Sequence, residues 1–320
     1  GAGLPESVPC NTVNKVCGSG LRTVMMAAQA IKAGDIDVAL AGGIESMSNT
    51  PYYVDGAREG LKFGDKRLVD GMIKDGLWDV YNDYHMGNAA ELCARECNVP
   101  RSAQDEFAVE SYRRAQKAIE EGKFKAEIVP VPVPQRRGDP VLVDADEEPG
   151  RVRFDKITSL KPSFQKDGTV TAANASSLND GASMLIVASK EWADENGFTP
   201  IATITGYGSA AQAPEWFTTA PAKAINGTLE RMKLSVKDID LFEINEAFAV
   251  VSIANEQKLG LDRNRVNVWG GAVALGHPIG ASGARILTTL LHAMKDRDAK
   301  RGLASLCIGG GEGVALVVER

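Results

Sequence analysis

One supersecondary unit occurs twice in this chain, once near each end, and that duplication limits the fold more than any other feature. From Gly20 to Ala33, residues Leu21, Val24, Met25, Ala28 and Ile31 fall on one face of a helix. Gly34 stops it, and Val38-Ala39-Leu40-Ala41 reads as a short buried strand running into Gly42-Gly43. The second copy repeats the order: a strand at Arg265 to Val268, a glycine-rich turn, a helix from Ala281 to Met294, and a strand from Leu303 to Ile308 that again ends in glycines. Thr12-Val13-Asn14 and Arg265-Val266-Asn267 open the two copies alike, so Thr12 to Val16 is predicted as the leading strand of the first. A unit used twice points to a pseudo-duplicated α/β protein.

The texture changes between the copies. From about Pro51 to Val170 the chain is more charged and carries proline-rich pieces such as Pro130-Val131-Pro132-Val133-Pro134. Ser102-Ala103-Gln104-Asp105 is a capping-type start for a long helix through Glu121, which Gly122 ends. Asp144 to Arg151 reads as an exposed acidic loop, Ala182 to Ala188 returns as a core strand, and Ile201 starts the second copy. The expected division is an N-terminal half of residues 1–50 plus 178–199, an inserted loop domain of residues 51–177, and a C-terminal half of residues 200–320.

With 44% hydrophobic residues and 33 glycines, 320 residues suit an α/β enzyme with more than one core. A net charge of −6 argues against a nucleic-acid groove. No apolar run approaches bilayer length, so no membrane partner is expected. Five cysteines without regular spacing, and no secretory segment before them, suggest reduced thiols in a cytosolic-type compartment. The chain opens at Gly1 without a methionine, as a fragment or a processed chain does, and its last residues carry no peroxisomal address.

The chemistry sits on the glycine-rich turns. Cys17 precedes the helix that starts near Ser19, where unpaired backbone N–H groups and the helix dipole are expected to lower its pKa. Read alone, it is equally a buried structural thiol. His277, held between Gly276 and Pro278, is suited to act as a base on a thiol, although a loop histidine is more often a surface residue. Cys307 repeats the strand-then-glycine pattern. The N–H groups of Gly309, Gly310 and Gly311 offer an oxyanion hole, or merely let two strands pack. Asn245, in Asn245-Glu246-Ala247-Phe248, either caps a helix or holds a water beside His277. Cys93 and Cys97 share a helix face but lack further ligands at metal spacing. His292 is given no catalytic role.

Taken together, these pieces resemble the thiolase family. The matching stretches are Val13 to Gly20, Ala41-Gly42-Gly43-Ile44-Glu45-Ser46-Met47-Ser48, His85-Met86-Gly87, Asn174-Ala175-Ser176, Asn245 to Phe248, the glycine-framed His277, and Cys307 to Gly311. They cover essentially the whole chain, and the resemblance is closest to the acetyl-CoA acetyltransferase branch. The resemblance implies a layered α-β-α-β-α core and a reversible condensation of two acetyl-CoA to acetoacetyl-CoA and free coenzyme A. Cys17 would carry the acetyl group, His277 would take its proton, and Cys307 would be the acid/base at the α-carbon. Asn245 would position a water, and the N–H groups of Cys17 and Gly309 would hold the oxyanion. The nearest rival is a 3-ketoacyl-CoA thiolase of fatty-acid degradation; a truncated, non-catalytic CoA-binding relative is a third possibility.

By the same resemblance the inserted domain grips coenzyme A. Leu77, His85, Met86, Phe164 and Ser176 would lie along the pantetheine, with Ala247 and Phe248 near its reactive end; each is otherwise ordinary packing. Tyr112, Ala172, Ala173, Ala175 and Val273 fall on the positions of a potassium site in the potassium-activated mitochondrial type, though Tyr112 also reads as a helix residue facing the core. A homotetramer, a dimer of dimers, goes with the family, as does a cytoplasmic location (mitochondrial in a eukaryote). The chain departs from the family in lacking a first strand–helix–strand section and in carrying Trp269 and Glu312. The stretch Ala213-Pro214-Glu215-Trp216-Phe217 is also bulky and is expected to reshape the acyl pocket.

Overall fold

In the computed structural model, which describes residues 2–320, the helix of each copy forms where the spacing predicts. Helix α1 runs Ser19–Ala33 with Leu21, Val24, Met25 and Ala28 buried, and Gly34 ends it at φ +80°. Strand β1, Val38–Ser46, passes through Gly42-Gly43 instead of stopping there. The reason is close approach: a Cβ on Gly43 would lie 2.0 Å from the Gly280 carbonyl oxygen, so only glycine lets the strand lie against that turn. There follow α2 (Met86–Glu96), α3 (Arg101–Glu120), β2 (Asp180–Ala188), α4 (Lys190–Glu195), β3 (Thr203–Ala211) and α5 (Ala220–Arg231). The chain ends with β4 (Leu241–Ile244), α6 (Ala249–Leu259), α7 (Ser282–Asp296), β5 (Arg301–Ile308) and β6 (Glu312–Glu319).

Two sheets result. β1 and β2 pair antiparallel, Val38 opposite Ala188 and Ser46 opposite Asp180. The second sheet has the order β4-β5-β6-β3, with β4 and β5 parallel and the other pairs antiparallel. Helices α1 and α7 lie between the sheets, and α5 covers β3 and β6. α7 is accordingly buried along most of its length, with Ile286, Leu287 and Leu290 fully buried. Each such side chain contributes about 1.5–3 kcal/mol. α1 and α7 touch backbone to backbone, since a Cβ on Gly20 would meet Ala284 N at 2.6 Å and one on Gly283 would meet Leu21 N at 2.3 Å. The outer face of β1 and β2 is covered by no element of the described residues: Leu40, Ile44, Met184 and Ile186 are exposed there, Ile44 by 77%. β2 is therefore a half-exposed strand, where a core strand was expected.

The leading strand predicted for each copy does not form. Asn14 Oδ1 accepts the Val16 N–H at 2.9 Å, Gly18 N–H bonds back to Lys15 O, and Val16 sits at φ +49°, so these peptides close a turn. In the second copy Val266 makes a single bridge to Phe242, and Asn267 at φ +46° turns the chain. The asparagine shared by the two copies is thus a turn residue in both. α3 starts after Pro100 without a side-chain cap, because Asp105 is engaged by Arg101 Nε (2.7 Å) and Asn174 Nδ2 (3.0 Å). The proline-rich piece forms an exposed hairpin, Val131–Val133 with Val141–Val143, and the expected acidic loop contains a short helix, Glu148–Arg151, around a buried Pro149.

Candidate active site

The site is built where both copies present their turns to one another. Cys17 lies in the single turn Val16–Gly18 that leads into α1. Ser19 Oγ locks that turn, donating to Val16 O at 2.7 Å and accepting the Lys15 N–H at 2.8 Å. The turn packs on the end of β5, since a Cβ on Gly18 would lie 2.5 Å from Ile308 Cδ1. The Gly309 N–H and the Cys17 N–H both point at the Cys17 sulfur. These donors favour the thiolate, yet burial pushes the thiol up to about 11. The lowered pKa expected from the helix start is thus not found, because desolvation outweighs the two N–H groups. Across the turns, Lys15 Nζ bonds Glu312 at 2.7 Å and ties the Cys17 segment to the far side of the glycine loop.

Cys307, the last residue but one of strand β5, is wholly buried, and burial followed by the charge of nearby Cys17 raises its thiol well above the usual range. The two sulfurs therefore share one neighbourhood. His277 is 7% exposed, with Gly276 before it at φ +92° and its own N–H donating to Ser177 O at 3.1 Å. Its Nδ1 lies 2.6 Å from Ser282 Oγ, the first residue of α7, and Ser282 gives its only proton to Pro278 O at 2.8 Å. Oγ must then accept from Nδ1–H, which leaves Nε2 as the free acceptor nitrogen. Burial, and after it the Arg285 charge, holds the imidazolium pKa down at about 4, so the ring is neutral at neutral pH. Asn245 leaves β4 directly; its Nδ2 is 3.4 Å from Nε2, and its Oδ1 is buried without a partner among the described residues. It caps nothing, since α6 begins after Phe248. Ser282 and Glu45, whose Oε2 accepts the Gly280 N–H at 3.0 Å, were given no role from sequence, although both lie inside quoted motifs.

The residues expected along a pantetheine form one wall. His85 stacks on Phe164 with centroids 4.8 Å apart, and Phe164 meets Phe248 edge-on at 6.2 Å. Met86 reaches the glycine loop, its Cε 3.0 Å from a Cβ placed on Gly309. Ser176 donates from Oγ (2.9 Å) and N–H (3.1 Å) to Ala247 O, which joins the Asn174-Ala175-Ser176 turn to the segment after Asn245. Leu77 is half-buried at the end of the turn Ile73–Leu77, next to Trp78, which pairs with His85. The bulky stretch Ala213 to Phe217 starts behind the glycine loop, where a Cβ on Gly311 would meet Ala213 O at 2.8 Å, and its Phe217 is buried in the core.

Tyr112 is buried on α3, which packs against the short helices Glu148–Arg151 and Ala272–Leu275, and its ring meets Phe154 edge-on with centroids 6.4 Å apart. Burial, then the carboxylates of Glu148 and Glu246, raises its phenol. A phenol in a negative field is the kind of hard-oxygen donor that suits an alkali cation. Cys93 and Cys97 approach to 3.9 Å on α2 with no metal-binding cluster among the described residues. A cavity of about 560 Å3 is lined by Glu110, Arg113, Lys117, Trp269, Asp296 and other residues outside this site.

Two family models match the chain: "Thiolase, N-terminal domain" over residues 1–191 and "Thiolase, C-terminal domain" over residues 198–320. An acetyl-CoA acetyltransferase of Cupriavidus necator is 57% identical over 320 residues, spanning 100% of this chain and 81% of the relative. Acetyl-CoA acetyltransferase 2 of Arabidopsis thaliana is 54% identical over 321 residues, spanning 100% and 80%. Among solved structures, the Acat5 thiolase of Ascaris suum, in complex with coenzyme A, superimposes with a TM-score of 0.93 at 45% identity. That match covers 99% of this chain and 80% of that one.

Proposed function

The chain belongs to the thiolase family, and from that premise we infer that it is an acetyl-CoA C-acetyltransferase, an acyltransferase that reversibly condenses two acetyl-CoA to acetoacetyl-CoA and coenzyme A. The observation that carries the residue assignment is the meeting of Cys17, Gly309 and Cys307 at one turn. His277 takes the Cys17 proton on Nε2, and the sulfur attacks the acetyl thioester carbonyl. The oxyanion falls to the N–H groups of Cys17 and Gly309, each such donor being worth about 2.7–4 kcal/mol. As the C–S bond to coenzyme A breaks, Cys307, a thiol at rest, protonates the departing sulfur and becomes a thiolate.

That thiolate removes a proton from the α-carbon of the second acetyl-CoA. The carbanion attacks acetyl-Cys17, the new C–C bond forms, and Cys17 leaves as thiolate to be reprotonated by His277. Asn245, through its unpartnered Oδ1, holds a water that with His277 stabilises the enolate oxygen. A positioned acid/base of this kind contributes about 10²–10⁴-fold. The wall of His85, Met86, Phe164, Ala247 and Phe248, with Leu77 and Ser176, takes the pantetheine, so residues 51–177 act as the CoA-binding insertion between halves 1–50 plus 178–199 and 200–320. A potassium ion, if bound, would be held by Tyr112 and the carbonyls of Ala172, Ala173, Ala175 and Val273. It would supply fixed positive charge that braces the Ser176 turn.

The short-chain reading is supported by the whole-chain similarity to acetyl-CoA acetyltransferases. Thiolysis of acetoacetyl-CoA is expected to exceed that of a long-chain 3-ketoacyl-CoA in kcat/KM; faster turnover of the long substrate would move the assignment to the degradative branch.

A further inference from the structure

We propose that Glu246 is a positioning residue for the enolate half of the reaction: its carboxylate, held by three elements at once, fixes where the Asn245 amide stands beside His277. The inference rests on the reading of Asn245 as the holder of the water at the enolate oxygen. Glu246 follows Asn245 in the chain leaving β4 and is 1% exposed. Its Oε2 accepts from Ser111 Oγ on α3 at 2.7 Å and from the Val273 N–H at 3.1 Å, and its Oε1 accepts from Asn267 Nδ2 at 2.9 Å. All three partners are donors, which is the surround a carboxylate needs. Ser111 Oγ in turn accepts the Gly271 N–H at 3.1 Å, and Gly271 lies so close that a Cβ there would sit 2.3 Å from Glu246 Cδ. An apolar side chain would fill this space without burying a charge; what the carboxylate adds is the fixed direction of three hydrogen bonds.

The grip closes on Asn245 from both sides. Asn267 bonds the N–H and C=O of Ile244 (2.9 and 2.8 Å) as well as Glu246, so one amide holds the residues before and after Asn245. Val273 belongs to the short helix Ala272–Leu275, which runs through Gly276 into His277. Glu246 thus joins the strand end that presents the amide to the segment that presents the imidazole. The two functional groups are not equally anchored. The imidazole segment has partners of its own, with Ser282 Oγ at Nδ1 and Ser177 O on the backbone N–H. The Asn245 amide has only His277, 3.4 Å from its Nδ2, and an Oδ1 without a partner among the described residues. Its position therefore follows the backbone that Glu246 and Asn267 clamp. Acetyl transfer to Cys17 uses the imidazole and the N–H groups of Cys17 and Gly309, none of which bonds Glu246.

The test separates the two halves of the reaction. Acetylation of Cys17 is followed by intact mass in a single turnover with acetyl-CoA. Enolate formation is followed by wash-in of solvent deuterium at the methyl group of acetyl-CoA on the acetylated enzyme. In Glu246→Gln the amide nitrogen must face a donor, either Asn267 Nδ2 or the Ser111 and Val273 pair. That variant is expected to slow wash-in about 10–10²-fold and acetylation by less than about threefold. Equal slowing of both halves, as general loss of structure gives, or an unslowed wash-in overturns the proposal. Should Glu246→Gln not fold, Ser111→Ala withdraws one of the three donors and must still slow wash-in more than acetylation; no difference between the halves overturns the proposal equally. Asn245→Ala is the reference and is expected to slow wash-in at least as much as Glu246→Gln. If it does not slow it at all, the water-holding reading of Asn245 falls and takes the proposal with it. A slowed Asn245→Ala beside an unslowed Glu246→Gln overturns the proposal alone, so the two failures are distinct.

Discussion

Two opposing effects meet at Cys17. The N–H groups of Gly309 and of Cys17 itself stabilise the thiolate, while burial destabilises it, and the thiol ends at about 11, with the His277 imidazole at about 4. The pair at rest is therefore neutral thiol and neutral base, and the proton moves only as the substrate arrives. It follows that alkylation of Cys17 by iodoacetamide in the absence of substrate should climb steadily with pH, about tenfold per unit between pH 7 and 10. A rate that levels off near pH 7 would mean a preformed thiolate. Sequence pattern located Cys17, His277, Cys307 and Asn245, because each stands beside glycine or at a strand end. The sign of the Cys17 shift was not legible there, since desolvation depends on what packs over the sulfur from residues almost three hundred positions away. Ser282 was hidden for a related reason: a polar residue on a helix declares its role only once the partner on the other element is known.

At the scale of elements, the periodic helices α1 and α7 and the strands after them were readable, because burial imposes a 3.6-residue repeat on one and an apolar run on the other. The supposed leading strands were not, because Asn14 bonds its own turn at Val16, while Asn267 turns the chain at φ +46° and spends its amide on the backbone of Ile244 at the end of β4. What fixes the site is the contact of α1 with α7 at Gly20 and Gly283, since α1 carries the Cys17 turn and α7 carries Ser282 and through it His277. Gly283→Ala places a methyl 2.3 Å from Leu21 N, which backbone cannot vacate cheaply. The expected loss is about 1–3 kcal/mol of stability in denaturant unfolding, with a fall in kcat larger than any change in KM. A variant of undiminished stability would show that the helices separate freely.

Over the whole molecule, the two copies of one unit are folded so that their glycine turns face each other, and the inserted segment sets its aromatic wall of His85 and Phe164 against the same place. The fold class was legible because a repeated helix–strand unit admits few layered arrangements. The join between copies was not, because it depends on backbone approaches such as that of Gly43 to Gly280, where the informative feature is a missing side chain. The central claim, that Cys17 carries an acyl group between two molecules of substrate, is tested most directly by intact mass and peptide mapping after brief incubation with acetyl-CoA. One acetyl group on Cys17, absent from Cys17→Ala and discharged as acetoacetyl-CoA when more acetyl-CoA is added, is the predicted result. A protein that binds acetyl-CoA yet gains no mass, or is acetylated elsewhere, would contradict it.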